Sequence, residues 1–336
     1  MRWPASVLLC WALLAATLAD VASGQARFRV EGSEYLMGTH VTIVVLSPDV
    51  VEGQQAIDAA LEEIRRVERL LSTSVPGSDV HRINHAEHDS PVDVADETIA
   101  ILERSRSWAI RLEGLFDITV VPAMELWGLG AEEQDQPPSS DDLRRALDLI
   151  DYREVLTDVD AGTAMLGRKG MKLELGGIGK GYGVDRAAIT LEQAGIADYL
   201  INAGGDIRVL GRPEPGRPWR VGIRHPRDPG ALLARVEMES GAVATSGDYE
   251  RFVEWDGVRH PHIVNPLTGR PVLGVQSATV LAETAEEADV LATYLFILGR
   301  VDLQQPALLV RTGCVDECLT DPEVLSNAAG LERFQR

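Results

Sequence analysis

Residues 174–185 read Glu174-Leu175-Gly176-Gly177-Ile178-Gly179-Lys180-Gly181-Tyr182-Gly183-Val184-Asp185. Residues 152–175 before them have the pattern of short strands and turns, and Ile178 to Ala194 after them have the pattern of a helix. A glycine-rich entry into a helix exposes backbone N–H groups where the helix dipole favours an anion. Lys180 would add a point charge there. The spacing matches neither the Walker A loop, which needs Ser or Thr after its Lys, nor G-x-G-x-x-G. Read alone, the segment fits a plain strand–helix turn as well as a phosphate cradle. The decisive point for the fold is that this junction does not recur.

Outward from it, the remaining elements do not alternate strand with helix. Residues 27–47 are rich in β-branched residues and predict a strand pair. Ile57, Leu61, Ile64, Val67 and Leu71 recur at helical spacing over residues 52–71, and a second helix is expected at about 96–112. An acidic loop containing Pro137-Pro138 spans 132–142, and a helix follows over 141–150. Short strands dominate 199–282, a long helix covers about 284–298, and a hairpin that includes the strand Ala307 to Val310 ends the chain. The pattern predicts an α+β class of mostly antiparallel sheets packed with helices and argues against a doubly wound fold. No repeat or long linker divides residues 25–336, which read as one domain.

The chain has 336 residues, with 32 Lys plus Arg against 52 Asp plus Glu, so its net charge is −20. That balance argues against a nucleic-acid partner, because phosphate backbones demand a cationic face. Apolar residues are 45% and charged residues 25%, which excludes disordered and collagen-like classes. Aromatics at 5% leave the packing to aliphatic side chains. Residues 1–24 have the form of a cleaved secretory signal: Arg2, an apolar run Val7 to Leu18, and small residues at Ala22-Ser23-Gly24. The run is short for a membrane anchor and Asp20 closes it. Cys10 lies too early in the run for a good lipoprotein site. In an exported chain, Cys314 and Cys318 are expected to form a local disulfide, since the pair offers too few ligands for a metal.

Four further stretches could carry chemistry. Asn202-Ala-Gly-Gly-Asp206 follows a strand and could be no more than a turn. His260-Pro-His262-Ile-Val-Asn265-Pro-Leu-Thr-Gly269 places a histidine at a strand end, where a general base could project, and Ala244-Thr-Ser-Gly-Asp248 before it is rich in hydroxyls. Asp289 and Thr293 share one face of the last long helix as hard oxygen donors of the kind Mg²⁺ prefers. A solvated Asp and a Thr bonded to its own helix would look the same. His81, His85 and His88 lie among acids and polar residues and read as a solvated loop rather than a zinc site.

In order, these stretches resemble the FAD:protein FMN transferase (ApbE) family. The resemblance also takes in Met37-Gly38-Thr39, Leu71-Ser72-Thr73, Arg82-Ile83-Asn84, Gly114 to Pro122 and Leu126-Trp127-Gly128, so it covers nearly all of the chain after residue 24. It implies an exported enzyme, on the periplasmic side of the inner membrane, that binds FAD and Mg²⁺. Such an enzyme joins FMN through a phosphodiester to a Ser or Thr of a target protein and releases AMP. The implied acceptor motif is Asp-x-x-Ser/Thr-Gly-Ala-Thr/Ser, and a membrane-associated target is compatible. By position, Met37, Leu115, Phe116, Asp117, Glu174, Lys180 and Ile263 fall where the family contacts FAD. Gly177 (through its carbonyl), Asp289 and Thr293 fall where it holds Mg²⁺, and His262 falls on its base.

Three departures stand out. Ser74 replaces a usual aromatic, whose stacking is worth about 0.5–1.5 kcal/mol beyond area. Glu174 replaces a usual Asp, and Asn265 a frequent Asp. An FAD pyrophosphatase and a non-catalytic exported flavin-binding protein remain the two other readings. The first would use the same metal site, and the second fits Ser74 but not the retained His262.

Overall fold

The structure is a computed structural model that describes residues 27–130, 134, 136–312 and 322–335. The expected signal segment 1–24, Cys314 with Cys318, and part of the acidic loop lie outside the described residues. The chain opens with strands β1 (Phe28–Leu36) and β2 (Thr39–Ser47), then helices α1 (Val50–Leu71) and α2 (Asp79–His85). There follow β3 (Val92–Asp93), α3 (Asp96–Arg111), α4 (Val121–Leu126), α5 (Ser140–Leu147), β4 (Val155–Asp158) and β5 (Thr163–Leu166). Next come α6 (Gly179–Gln193), β6 (Tyr199–Ala203), β7 (Asp206–Leu210), β8 (Trp219–Arg224), β9 (Leu232–Met238) and β10 (Ser240–Gly247). Two small hairpins, β11 (Phe252–Trp255) with β12 (Val258–Pro261) and β13 (Val264–Asn265) with β14 (Arg270–Pro271), precede β15 (Val275–Ala282). The chain continues as α7 (Ala285–Leu298), β16 (Ala307–Thr312), β17 (Pro322–Ser326) and α8 (Ala328–Arg333).

An eight-stranded sheet in the order β1-β2-β6-β7-β10-β15-β16-β17 organises the molecule, and every neighbouring pair in it is antiparallel. Alternation along each strand sends side chains to two faces. Val41, Ile43, Val45, Tyr199 and Ile201 face α1, α6 and α7, while Val44, Leu46, Val209 and Leu281 face the β8–β9 hairpin. The result is three layers: helices, sheet and hairpin. The α+β expectation holds.

Local chemistry sets each helix. Asp49 caps α1, accepting from the N–H groups of Val51 and Glu52 at 2.7 and 3.0 Å, and the apolar residues at helical spacing are buried. Gly181 lets α6 press on the start of α7, since a Cβ there would lie 2.3 Å from the carbonyl oxygen of Ala285. Asp185, one turn on, accepts from the N–H groups of Ala285 and Glu286, both at 2.9 Å. It thereby serves donors that α7 cannot satisfy itself.

Four expectations are corrected. Residues 79–85 form helix α2, capped by Ser78 at 3.0 Å from His81 N, not a loop, and His81 stacks on His85 at 4.0 Å. The end of the chain adds α8 after its hairpin, and α5 ends at Leu147 rather than continuing to 150. Most importantly, the glycine-rich segment is not entered from a strand. The chain at Leu173 is extended, but the side-chain amide of Asn84 takes the place of a neighbouring strand. It donates to Leu173 O and accepts from Leu173 N, both at 2.8 Å.

Ala at an exposed helical glycine would gain about 1 kcal/mol of propensity. Gly181→Ala is expected instead to destabilise by about 1–3 kcal/mol, because α6 and α7 must separate. Calorimetric melting checks this, and an unchanged or raised Tm would contradict the packing argument.

Candidate active site

A cavity of about 490 Å³ opens beside the helix layer. Its wall is assembled from the β1–β2 turn, the loop after α1, residues 115–118, the segment 174–180, the β6–β7 turn, the end of β10, residues 262–264 and α7. Met37, Leu115, Phe116, Asp117, Glu174, Gly177, Lys180, His262, Ile263, Asp289 and Thr293 all line it. Every residue that the resemblance places at the flavin, the metal or the base therefore meets the same space. His81, His85 and His88 do not line it.

The β1–β2 turn is two residues long, with Met37 at φ 52° and Gly38 at φ 72°, as a tight hairpin requires. Glu68 of α1 holds Met37 N at 2.8 Å. The thioether then lies over α6, where a Cβ at Gly183 would come within 3.0 Å of it. The glycines of 176–183 thus serve close packing. They do not present a free row of donors, because Ile178 N and Gly179 N donate to Leu175 O at 3.1 and 2.6 Å, and Gly181 N donates to Asp289 Oδ2 at 3.1 Å. Three N–H groups of the cradle expected for a phosphate are thus engaged inside the protein.

Lys180 is likewise engaged. Its Nζ lies 2.7 Å from Asp206 Oδ2 and 3.5 Å from Asp289 Oδ1. Burial opposes the ammonium charge, but the two carboxylates outweigh it and keep Lys180 protonated. Burial, and then the neighbouring charge of Asp289, push Asp206 above the usual carboxylate range, against the pull of Lys180. Asp206 itself follows the two-residue turn Gly204-Gly205, both with positive φ. The turn that looked like mere punctuation therefore delivers a buried acid to the cavity.

Asp289 and Thr293 project from adjacent turns of α7, and Thr293 Oγ1 lies 3.3 Å from Ser246 Oγ. A Cβ at Gly177 would meet Phe116 at 3.2 Å and Thr293 Oγ1 at 3.4 Å, so only a bare backbone fits comfortably there. The carboxylate of Asp117 is occupied: it accepts from Thr119 N, Thr119 Oγ1 and Tyr152 N at 2.8, 2.7 and 2.9 Å. Burial still raises its pKa against those bonds. It fixes the 115–119 turn that presents Leu115 and Phe116. The carboxylate of Glu174 has no hydrogen-bond partner among the described residues. Burial pushes its pKa up, while Arg251 and then Lys180 pull it down.

Of the two histidines in the 260–269 stretch, only His262 lines the cavity. His260 packs between Trp127 and Trp255, at ring distances of 5.4 and 5.1 Å. The backbone N of His262 donates to Arg251 O at 3.0 Å, and its Nδ1 lies 3.1 Å from the same carbonyl. A carbonyl only accepts, so Nδ1 carries the proton and Nε2 of the neutral ring keeps its lone pair. Burial, then the positive charge of Arg251, lower its pKa to about 4. Ser74, with its Oγ 3.1 Å from Ser72 Oγ, also lines the cavity. Asn265 Oδ1 accepts from Leu267 N at 2.9 Å and shapes the following turn.

An antiparallel α+β core brings carboxylates, a hydroxyl and a histidine together on one cavity, an arrangement able to support group transfer. The ApbE family model matches residues 37–310, and the chain belongs to that family. It is 37% identical over 276 residues to the FAD:protein FMN transferase of Vibrio cholerae, covering 78% of this chain and 79% of that one. It is 34% identical over 319 residues to that of Treponema pallidum, covering 88% and 85%. The crystal structure of the ApbE protein from Thermotoga maritima superimposes with a TM-score of 0.82 at 32% identity, over 93% of this chain and all 100% of that one. The flavin transferase ApbE from Vibrio cholerae gives 0.79 at 28%, over 92% and 100%.

The His262 environment predicts a titration. The imidazole should stay neutral down to about pH 4 and gain its proton only below that. A midpoint near the ordinary 6.5 in its ring-proton NMR signal would contradict the half-buried, Arg251-facing geometry.

Proposed function

We propose that this protein is a Mg²⁺-dependent FAD:protein FMN transferase that modifies a Ser or Thr hydroxyl of an exported or membrane-associated target. The observation that carries the reading is the convergence, in a member of the ApbE family, of residues spread from Met37 to Thr293 on one cavity with a neutral histidine in its wall. The pattern of residues 1–24 supports action on the periplasmic side of the inner membrane.

In this reading the target hydroxyl attacks the phosphorus on the FMN side of the FAD pyrophosphate. A new O–P bond forms, the bridging P–O bond breaks, and AMP leaves with the bridging oxygen. Nε2 of His262 accepts the hydroxyl proton. Its low pKa keeps it free of protons at neutral pH, and the Arg251 carbonyl keeps its orientation. Met37, Leu115 and Phe116 offer apolar surface to the flavin.

The donor set fits a hard divalent cation. Asp289 and Thr293 present oxygens from one face of α7, and the Gly177 backbone comes close to Thr293 because it has no side chain, so its carbonyl would be the third donor. Mg²⁺ held there would neutralise charge on the pyrophosphate. Gly181 N and Lys180 orient the Asp289 carboxylate from behind.

The test mixes residues 25–336 with FAD, Mg²⁺ and a target bearing the motif, and reads in-gel flavin fluorescence. Labelled target is expected. No label, beside an active family member as control, would sink the proposal, and free FMN formed without label would favour the pyrophosphatase. Asp289→Ala should lower transfer by roughly 10²-fold or more, the worth of several kcal/mol of charge stabilisation. His262→Ala should lower it by about 10²–10⁴-fold.

A further inference from the structure

The charged groups that line the cavity are mostly acids: Glu68, Glu174, Asp206, Glu250 and Asp289, beside the occupied Asp117. Two permanent cations face them, Lys180 and Arg251. Lys180 is already matched by Asp206 and Asp289, and the N–H groups of Ile178, Gly179 and Gly181 in the glycine-rich turn are already engaged. An anionic diphosphate entering this space has one protein cation left to meet it.

The loop between β10 and β11 supplies that cation by pairing its other charges elsewhere. Asp248 is held by a two-pronged Arg227, at 2.7 and 2.6 Å, with Arg259 at 3.8 Å. Glu250 pairs with Arg224, which lies over the Tyr249 ring at 4.5 Å. Among the described residues no carboxylate lies within ion-pair distance of Arg251. Its side chain is exposed at the cavity wall, and its charge is felt by both His262 and Glu174. Its own carbonyl orients the His262 ring, so the guanidinium starts from the residue that positions the base.

We infer that the Arg251 guanidinium binds the pyrophosphate of FAD, beside the base, and distinguishes phosphorylated flavins from riboflavin. The inference rests on the proposed function. A guanidinium presents a planar fork that can bond two phosphate oxygens at once, which a lysine ammonium cannot reproduce. The position also suits a charge that grows on the departing AMP oxygens as the bridge breaks.

Arg251→Gln removes the fork and keeps the carbonyl that clamps His262, and the site is exposed, so the fold should persist. Binding is measured by flavin fluorescence in EDTA, where no transfer occurs, with FAD and with riboflavin. The substitution should weaken FAD by about tenfold or more and leave riboflavin within twofold. Arg251→Lys should recover part of the loss, and Arg220→Gln, which removes a charge on the far hairpin, should change neither ligand. In addition, loss of the guanidinium charge should raise the titration midpoint of His262. Equal affinity of Arg251→Gln and wild type for FAD, or a parallel loss for riboflavin, overturns the assignment alone. A wild-type protein that binds no FAD overturns the function reading and the assignment with it.

Discussion

The site depends on how closely α6 meets the first turn of α7. That approach exists because Gly181 has no side chain where the Ala285 carbonyl passes. Three consequences follow within one helical turn. Gly181 N reaches Asp289, Lys180 is carried to Asp206 and Asp289, and Asp185 reaches the open N–H groups of α7. Asp185 also pairs with Arg208 of β7, which ties the helix pair to the sheet. A single contact between backbones therefore orients the carboxylate at the centre of the cavity. The two glycines that flank it, Gly179 and Gly183, make room for Met37 from the opposite side.

Helix α1 and its apolar stripe are legible from spacing, because a long amphipathic helix writes its period directly into the sequence, while its cap Asp49 is seen only in the structure. So is α7, framed by Thr284 as its cap and Gly299 in the left-handed conformation at its end. Helix α2 is not, since seven residues hold too little periodicity and its histidines, set among acids and polar residues, read as part of a solvated loop. The strand expected before Glu174 failed for a different reason. Leu173 has the extended, apolar character of a strand residue, but its ladder partner is a side chain, Asn84, from far earlier in the chain.

The site divided in the same way. Ordered motifs point to His262, Asp289 and Thr293, and all three line one cavity. Asp206 reads in the sequence as the end of a turn, and no motif marks Arg251. The importance of each lies in its pairing. Lys180 beside glycines looked like a phosphate ligand until Asp206 appeared across from it, and Arg251 looked like any surface arginine until Asp248 and Glu250 were found paired with others. Ion pairing between distant segments leaves no periodic trace in a sequence.

The same pairing narrows what the −20 net charge means. Many acids are taken up in exposed pairs such as Arg29–Glu31 and Arg217–Glu214, each worth about 0–1 kcal/mol in stability. Others form clusters, as where Arg66 bridges Glu63 and Glu97. Inside the cavity the balance is also negative, yet there the charges are partly withdrawn from water, where they interact more strongly. An anionic ligand is therefore opposed by Glu174, Asp206 and Asp289 unless cations come with it or wait for it. This physical demand is independent of any family likeness. It would make a divalent ion bound at Asp289 complementary to Arg251, which has no carboxylate partner among the described residues: the first would offset the carboxylates on α7 and β7 and the second Glu174. An acidic protein can hold a diphosphate only where such local cations outweigh its own surface.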